Sequence, residues 1–367
     1  MVGLILQILP ISFTFHHLFI NRCNTLMVNA INGGGGKIYE GKPLNDSITK
    51  AIEENVPSSD KKNRKIVEDY TREIKKCFLR YGITPNDYFL FGFHTINKKH
   101  SSRRLFVTDT CKDYTLCRYD GWQKYLELSD KYAVYKRVPE YFGRKAMRLD
   151  SSVTLNDFVN FVMNTSSLFI KPLSGSYGHG AMIFDFKDYH GIGELYKQLL
   201  SESTDSWMIE ERIVQDPEMA KWNDSSVNTV RFTSILTKKG YYVLTPVLRT
   251  GRSGSIVDNG GSGGILSNID IETGRIYTDG IDEHGHTFIA HPDSLIIYKG
   301  WHVPKWRELL NVAEAVHRAM PDHKYVGWDF ALSENGWVLI EGNWGQFLNQ
   351  YVDKRGRKEE FLKYIKE

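Results

Sequence analysis

The chain has no CxxC pair. Its four cysteines, Cys23, Cys77, Cys111 and Cys117, are scattered, and Cys111 and Cys117 lack the spacing of a zinc site. They read as free thiols in a reducing compartment. An excess of one charge is missing too. A formal net charge of +3 over 367 residues is too weak a field to imply nucleic acid or a membrane surface as partner. There is no low-complexity stretch, internal repeat or long linker, and no Ser-His-Asp or reactive-cysteine arrangement. The GxxxxGK[ST] phosphate loop is absent as well. Gly33 to Gly36 precede Lys37, but Ile38 follows it, so this stretch reads as a flexible turn. The first 20 residues contain no Lys, Arg, Asp or Glu. They have neither a basic start nor a small-residue cleavage site. As a spanning helix they are interrupted by Gln7, Pro10, His16 and His17. The alternatives are a signal segment, an anchor, or a leader ahead of a true start at Met27. A cytoplasmic body is expected, with membrane contact only through residues 1–26.

What is present is an ordinary globular composition, 41% hydrophobic and 25% charged, enough for two or three cores. Apolar residues at three- and four-residue steps predict a helix over 60–81, ended by Gly82 and Pro85. Residues 113–142 read as mostly helical, broken at Pro139. Thr154 to Asn164 reads as a short helix opened by a Thr154–Asp157 capping box. The short polar stretch Lys145 to Ser152 reads as a boundary.

From Leu168 the texture turns to strands. Leu168–Lys171 and Ala181–Phe186 flank the glycine-rich loop Ser174 to Gly180. Strand, loop, strand differs from the Rossmann and phosphate-loop arrangements, where a helix N-terminus holds the phosphate. Here loop N–H groups could cover phosphates, with Lys171 as a point charge beside them. Further strands are expected at Trp207–Glu211, Asn228–Leu236 and Tyr241–Arg249. On the second, Thr229, Arg231 and Thr233 share a polar face, and Arg231 is a candidate phosphate clamp. Arg249 to Gly264 is a long glycine-rich loop of the kind that often binds ligands. A helix over Pro304–Met320 and another from about Lys358 to Lys366 follow the expected strands at Leu266–Ile271 and Arg275–Tyr277.

Val326 to Asn343 reads as a hairpin turning at Glu334-Asn335-Gly336. A three-residue turn sets Ser333 opposite Trp337 and Asp329 opposite Glu341. Asp329, Glu341 and Asn343 then share one face, and Trp328, Phe330, Leu332, Val338 and Ile340 share the other. A two-residue turn scatters the acids, because a one-residue slip flips a strand. The segregated register is expected. It presents two carboxylates and an amide oxygen, which suits Mg²⁺ bound together with phosphates.

Six segments in order resemble the ATP-grasp superfamily, and within it the sugar-transfer-associated ATP-grasp family. They are DKY at Asp130–Tyr132, FIKPLSGSYGHG at Phe169–Gly180, MIEERIVQDPEM at Met208–Met219, SVNTVRFTS at Ser226–Ser234, VLRTGRSGSIVDNGGSGG at Val247–Gly264, and VGWDFALSENGWVLIEGN at Val326–Asn343. The resemblance covers roughly residues 115–350. It implies an α+β fold, with two α+β subdomains clasping ATP between antiparallel sheets behind a mostly helical N-terminal region. The expected divisions are 1–26, 27–130, 131–215 with the phosphate lid, and 216–367 with the metal site.

Residue by residue, the resemblance makes Lys131 and Lys171 the nucleotide lysines. Ser174, Gly175, Ser176, Tyr177, Gly178, His179 and Gly180 become the lid. Glu210, Glu211, Arg212, Ile213 and Val214 line the adenine hinge, and Glu218 takes the ribose. Asp329, Glu341 and Asn343 are the implied ligands of two Mg²⁺, and Lys171, Arg231 and Arg249 the implied catalytic cations. Related amino-acid ligases often carry an arginine where this chain has Gly327, so the charge would come from Arg231 or Arg249. The implied activity is an ATP- and Mg²⁺-dependent carboxylate–amine ligase working through an acyl phosphate in cell-surface polysaccharide synthesis. Its substrates would be small or sugar-linked, with glycosyltransferase machinery as a partner. The alternatives are a kinase of sugar or polyol hydroxyls and a non-catalytic ATP-binding scaffold.

Overall fold

The computed structural model describes residues 42–95, 100–163, 165–173, 180–186, 191–202, 206–345 and 347–367. The apolar leader, the Gly33–Lys37 turn and the loop residues Ser174 to His179 lie outside them. The chain divides into two compact units, Met1–Tyr114 and Thr115–Glu367. No helix among the described residues is long and apolar enough to cross a membrane.

The described part of the first unit is helical. The helix expected over 60–81 is in fact two, Ser58–Lys61 and Arg64–Tyr81. Asn63 stands between them because its side chain accepts from the backbone N–H of Lys65 at 3.1 Å and Ile66 at 3.4 Å. An asparagine gains more as an N-cap than inside a helix. Gly82 closes the second helix at φ 68°, where L side chains are strained.

The second unit holds two antiparallel sheets. The smaller has the order β1-β4-β2-β3, with β1 at Ala146–Leu149, β2 at Ser167–Pro172, β3 at Met182–Asp185 and β4 at Trp207–Glu211. β1 occupies the stretch read as a boundary; Met147 and Leu149 are its apolar alternate positions, too short a pattern to stand out. Helices Leu155–Val162 and Ile192–Glu202 cover one face, packing Phe158, Val162, Leu195 and Leu199 on Leu168, Ile170 and Ile209. The first of them opens with the expected Thr154–Asp157 capping box. Alternation leaves Lys171 and Glu210 on the opposite face.

The larger sheet has the order β10-β9-β8-β7-β5-β11-β12, with β6 also paired to β5. Its strands are β5 (Thr229–Leu236), β6 (Tyr241–Val243), β7 (Val247–Thr250), β8 (Ile265–Asn268), β9 (Gly280–Ile281), β10 (Thr287–Phe288), β11 (Tyr325–Ser333) and β12 (Gly336–Asn343). The single strand expected over Tyr241–Arg249 is split into β6 and β7. Pro246 falls in the break and has no N–H for a ladder. Helix Trp306–Ala319 lies on the apolar face, where Trp306 meets Phe232 at 6.0 Å between ring centroids and His317 meets Trp328 at 5.6 Å.

The β11–β12 hairpin reaches the expected pairing of Asp329 with Glu341 and of Gly327 with Asn343, but by another route. Its turn has two residues, Glu334 and Asn335, since Ser333 pairs with Gly336 and not with Trp337. A register shift between Asp329 and Phe330 then corrects the slip. Phe330 pairs with Leu339 and Asp329 with Glu341, so Ile340 is the extra residue of a bulge. Val338 consequently faces Ala331 on the side of Asp329, whereas Trp337 and Leu339 join Leu332 and Phe330. The segregation holds at the acids and reverses near the turn.

Candidate active site

The centre of the larger sheet is an arginine–aspartate cluster. Arg231 on β5 is directly opposite Asp329 on β11, and Arg249 on β7 is opposite Thr229, so all three side chains share one face. Arg231 grips Asp329 with two nitrogens, Nε on Oδ1 and Nη2 on Oδ2, the latter at 2.8 Å. Arg249 adds Nη1 to Asp329 Oδ2 at 2.9 Å. Its other nitrogen, Nη2, reaches Asp258 Oδ1 at 2.8 Å and Asn259 Oδ1. Burial on its own would raise the Asp329 pKa. The two guanidinium groups outweigh it and hold the carboxyl below the ordinary aspartate range.

Gly327 gives the missing arginine a steric reason. A Cβ there would lie 2.7 Å from Gly345 Cα and 3.2 Å from Asn343 Oδ1. Gly345 in turn backs onto Arg231, 3.1 Å from Nη1 to an ideal Cβ. The two glycines form the floor on which Arg231 and Asn343 rest. Of the two candidate replacements, both Arg231 and Arg249 stand on Asp329.

Glu341 and Asn343 lie beside this cluster at the edge strand, both half-buried, with Asn343 Nδ2 3.4 Å from Glu341 Oε1. Together with Asp329 they form an all-oxygen donor set, the hard set that Mg²⁺ takes. Asp329 Oδ1 accepts a single hydrogen bond and retains a lone pair, so the residues present fit the ion.

The face of the smaller sheet carries the second cluster. Glu210 is buried at 1% exposure between two cations. Lys171 Nζ is 2.9 Å from its Oε2, and Arg144 Nη2 donates to its Oε1. Burial pushes the Glu210 carboxyl up, but Arg144 and Lys171 together bring it below its usual value. Lys131 begins helix Lys131–Arg137, whose N-cap Asp130 accepts from Tyr132 and Ala133 N–H. Its Nζ donates to Leu173 O at 3.2 Å, the residue before the glycine-rich loop. Burial lowers its pKa, and Glu341 is the largest opposing charge, so Lys131 and Glu341 sense each other.

The remaining expected residues are placed as follows. Of the lid, only Gly180 is described, at φ 76°. Glu210 to Val214 leave β4 toward the hairpin. Glu211 Oε2 accepts from Lys145 N–H at 2.8 Å, Arg212 N–H donates to Ser167 O at 3.1 Å, and Val214 O accepts from Glu334 N–H at 3.1 Å. Ile213 is half-buried within this run. Glu218 is exposed and paired with Lys221 at 2.6 Å. It is not part of either buried cluster.

Two residues escaped the sequence reading. Asp258 lies in the loop Arg249 to Gly264, accepts from Thr229 N–H at 3.1 Å and anchors Arg249; burial raises its pKa beyond what Arg249 offsets. An acid among glycines was the signal for it. Arg144 had none: it sits in a polar stretch, and only the fold brings it to Glu210.

No curated protein sequence matches the chain. Among solved structures, D-alanine–D-alanine ligase from Bacillus anthracis aligns at 13% identity over 64% of this chain and 62% of its own, TM-score 0.38. D-alanyl-alanine synthetase A from Vibrio cholerae aligns at 10% identity over 65% of each chain, TM-score 0.41. Carboxyaminoimidazole ribonucleotide synthase from Aspergillus clavatus, complexed with ATP, aligns at 15% identity over 61% of this chain and 46% of its own, TM-score 0.38. The chain thus spans less than two thirds of these structures' lengths. A family model described as sugar-transfer associated ATP-grasp matches residues 111–365, well over half of the sequence. The chain belongs to the sugar-transfer associated ATP-grasp family, and its two antiparallel sheets are those of an ATP-grasp fold.

Proposed function

We propose that the protein is an ADP-forming, ATP-dependent ligase that joins a carboxylate to an amine, with at least one substrate sugar-linked. The observation that carries this reading is the pairing of Asp329 with Glu341 on one sheet face, with Arg231 and Arg249 on the Asp329 carboxylate. ATP brings about four negative charges, and such a site works by positioning and charge stabilisation. Lys131 and Lys171 would bind the phosphates, with the Ser174–Gly180 loop over them. Asp329, Glu341 and Asn343 would hold Mg²⁺, which when bound neutralises phosphate charge. Glu210 to Val214 would receive the adenine and Glu218 the ribose. Arg231 and Arg249, held on Asp329, would stabilise charge that develops between ATP and the acceptor.

In the proposed reaction a substrate carboxylate oxygen attacks the γ-phosphorus and ADP leaves. The amine nitrogen then attacks the acyl carbon and inorganic phosphate leaves. Exclusion of water by the loop would protect the acyl phosphate from hydrolysis. The family's description supports an association with sugar transfer; a place in polysaccharide assembly beside glycosyltransferases, in the cytoplasm, is part of this proposal.

The test is ADP release by the purified protein with Mg²⁺-ATP against a matrix of uronic acids, amino acids and sugars. The reading expects release only when a carboxylate and an amine are both present. Release with a hydroxyl compound alone would replace the ligase by a kinase. ATP binding without release on any substrate, lipid-linked sugars included, would favour the scaffold.

A further inference from the structure

Arg144 joins the two halves of the site. It is 5% exposed at its side chain and has a fork of donors aimed at two sheets. On the smaller sheet its Nη2 donates to Glu210 Oε1, and the other oxygen of that carboxylate takes Lys171 Nζ at 2.9 Å. On the larger sheet its Nη1 donates to Leu339 O at 2.8 Å, and it also reaches Phe142 O at 2.9 Å. Leu339 is the last regular residue of β12 before the bulge, and Glu341 is the first after it. β12 is the outer strand of its sheet, so this carbonyl has no ladder partner beyond it.

We propose that Arg144 is a positioning residue that couples the nucleotide lysine to the metal strand. The inference rests on the ligase reading above and extends it. It has two arms. The first is charge. Glu210 paired with Lys171 alone would cancel the lysine, leaving nothing for a phosphate. With Arg144 sharing the carboxylate, the trio of Glu210, Arg144 and Lys171 carries one net positive charge. Burial of all three makes that charge count, because water does not screen it. The second arm is geometry. Through Leu339 O, Arg144 fixes the bulge that brings Glu341 opposite Asp329. A lysine at this position keeps the charge but has no planar fork to hold two acceptors at once.

The experiment measures ATP affinity by calorimetry, with and without Mg²⁺, in full-length wild type, Arg144→Met, Arg144→Lys and Arg144→Met/Glu210→Gln, each checked for folding by thermal melting. Arg144→Met is expected to weaken ATP binding without metal by roughly thirtyfold or more, the low end of the cost of losing one partner of a buried charge pair. The double variant removes both buried charges, leaves Lys171 unopposed, and should recover most of that loss. Arg144→Lys should bind ATP like wild type but need more Mg²⁺ for the metal-dependent gain. Folded Arg144→Met with wild-type ATP affinity overturns the charge arm. Should that variant not fold, a double variant binding more than tenfold more weakly than wild type overturns it as well. Arg144→Lys with an unchanged Mg²⁺ dependence overturns the geometric arm. A wild-type protein that binds no ATP would sink the ligase reading itself, a result distinct from all of these.

Discussion

At the scale of single residues, the site is a set of charges whose values depend on their partners. Asp329 accepts three hydrogen bonds from two arginines, whereas Glu341 lies beside the amide of Asn343 and in the field of Lys131. The two carboxylates therefore differ: Asp329 also holds Arg231 and Arg249 in place, whereas in the proposed metal site Glu341 would be the less encumbered ligand. Glu341→Ala should reduce ADP formation by on the order of a hundredfold to a thousandfold, the usual cost of one electrostatic stabiliser. ATP binding should weaken but persist, since Lys131 and Lys171 are untouched. Normal turnover in that variant would remove Glu341 from the metal site. Gly327 is the steric counterpart. Its replacement by alanine forces a methyl group against Gly345 and Asn343, and overpacking of this kind costs about 1–3 kcal/mol. A lowered melting temperature with weakened Mg²⁺ dependence is expected. A Gly327→Ala protein that melts like wild type would mean that the Gly345 segment can shift freely.

At the scale of elements, strands were legible where their pattern was long and less so where a local device intervenes. The Asp329–Glu341 pairing was legible because the expected three-residue turn and the actual two-residue turn with a bulge bring the same residues opposite each other. The bulge at Ile340 was not, since nothing in VLIEGN marks which residue is extra. A tertiary contact meets it: Arg144, in the bend before β1, donates to the Leu339 carbonyl. β1 was likewise invisible: four residues defined by pairing with β4. β11 is also held at its start. Asp120 accepts from the N–H groups of Lys324 at 2.8 Å and Tyr325 at 3.3 Å. Nearby, Asp322 is engaged by Lys124 and Arg137.

Asp120 gives this clamp a pH dependence. Burial raises its pKa from 3.8 to about 6, so the folded state binds its proton more tightly than the unfolded chain. Its contribution to stability therefore falls as pH rises from about 4 to 6. His317 behaves oppositely. Burial lowers it from 6.5 to about 4, so its contribution is lost on acidification across nearly the same window. Asp120→Asn removes the first slope and leaves the second. Urea unfolding between pH 4.5 and 7 should show the variant losing stability more steeply toward acid, by about 2 kcal/mol relative to wild type. A difference between the two proteins that stays constant across that range would mean that Asp120 does not titrate there.

At the scale of the whole molecule, every described site residue lies in the unit from Thr115 to Glu367. The family match covers nearly the same span, residues 111–365. The six sequence segments gave this organisation because each keeps several chemistry-bearing residues adjacent in the chain. Arg144 and the pairing of Arg231 and Arg249 on one aspartate are long-range and have no such signature. The helix Asp109–Tyr119 crosses the division, and Thr108 Oγ1 accepts from Cys111 N–H at 3.2 Å at its start. A fragment beginning at Thr108 thus keeps that helix with its cap. It should fold and show a rise in melting temperature with Mg²⁺-ATP equal to that of the full chain. A ligand at about a hundred times its dissociation constant adds roughly 2.7 kcal/mol to the stability of whatever binds it, so the shift is measurable in both proteins. Equal shifts would assign nucleotide binding wholly to the second unit. A folded fragment with no shift would mean that the first 107 residues supply part of the nucleotide site, and the residues assigned here would be an incomplete set.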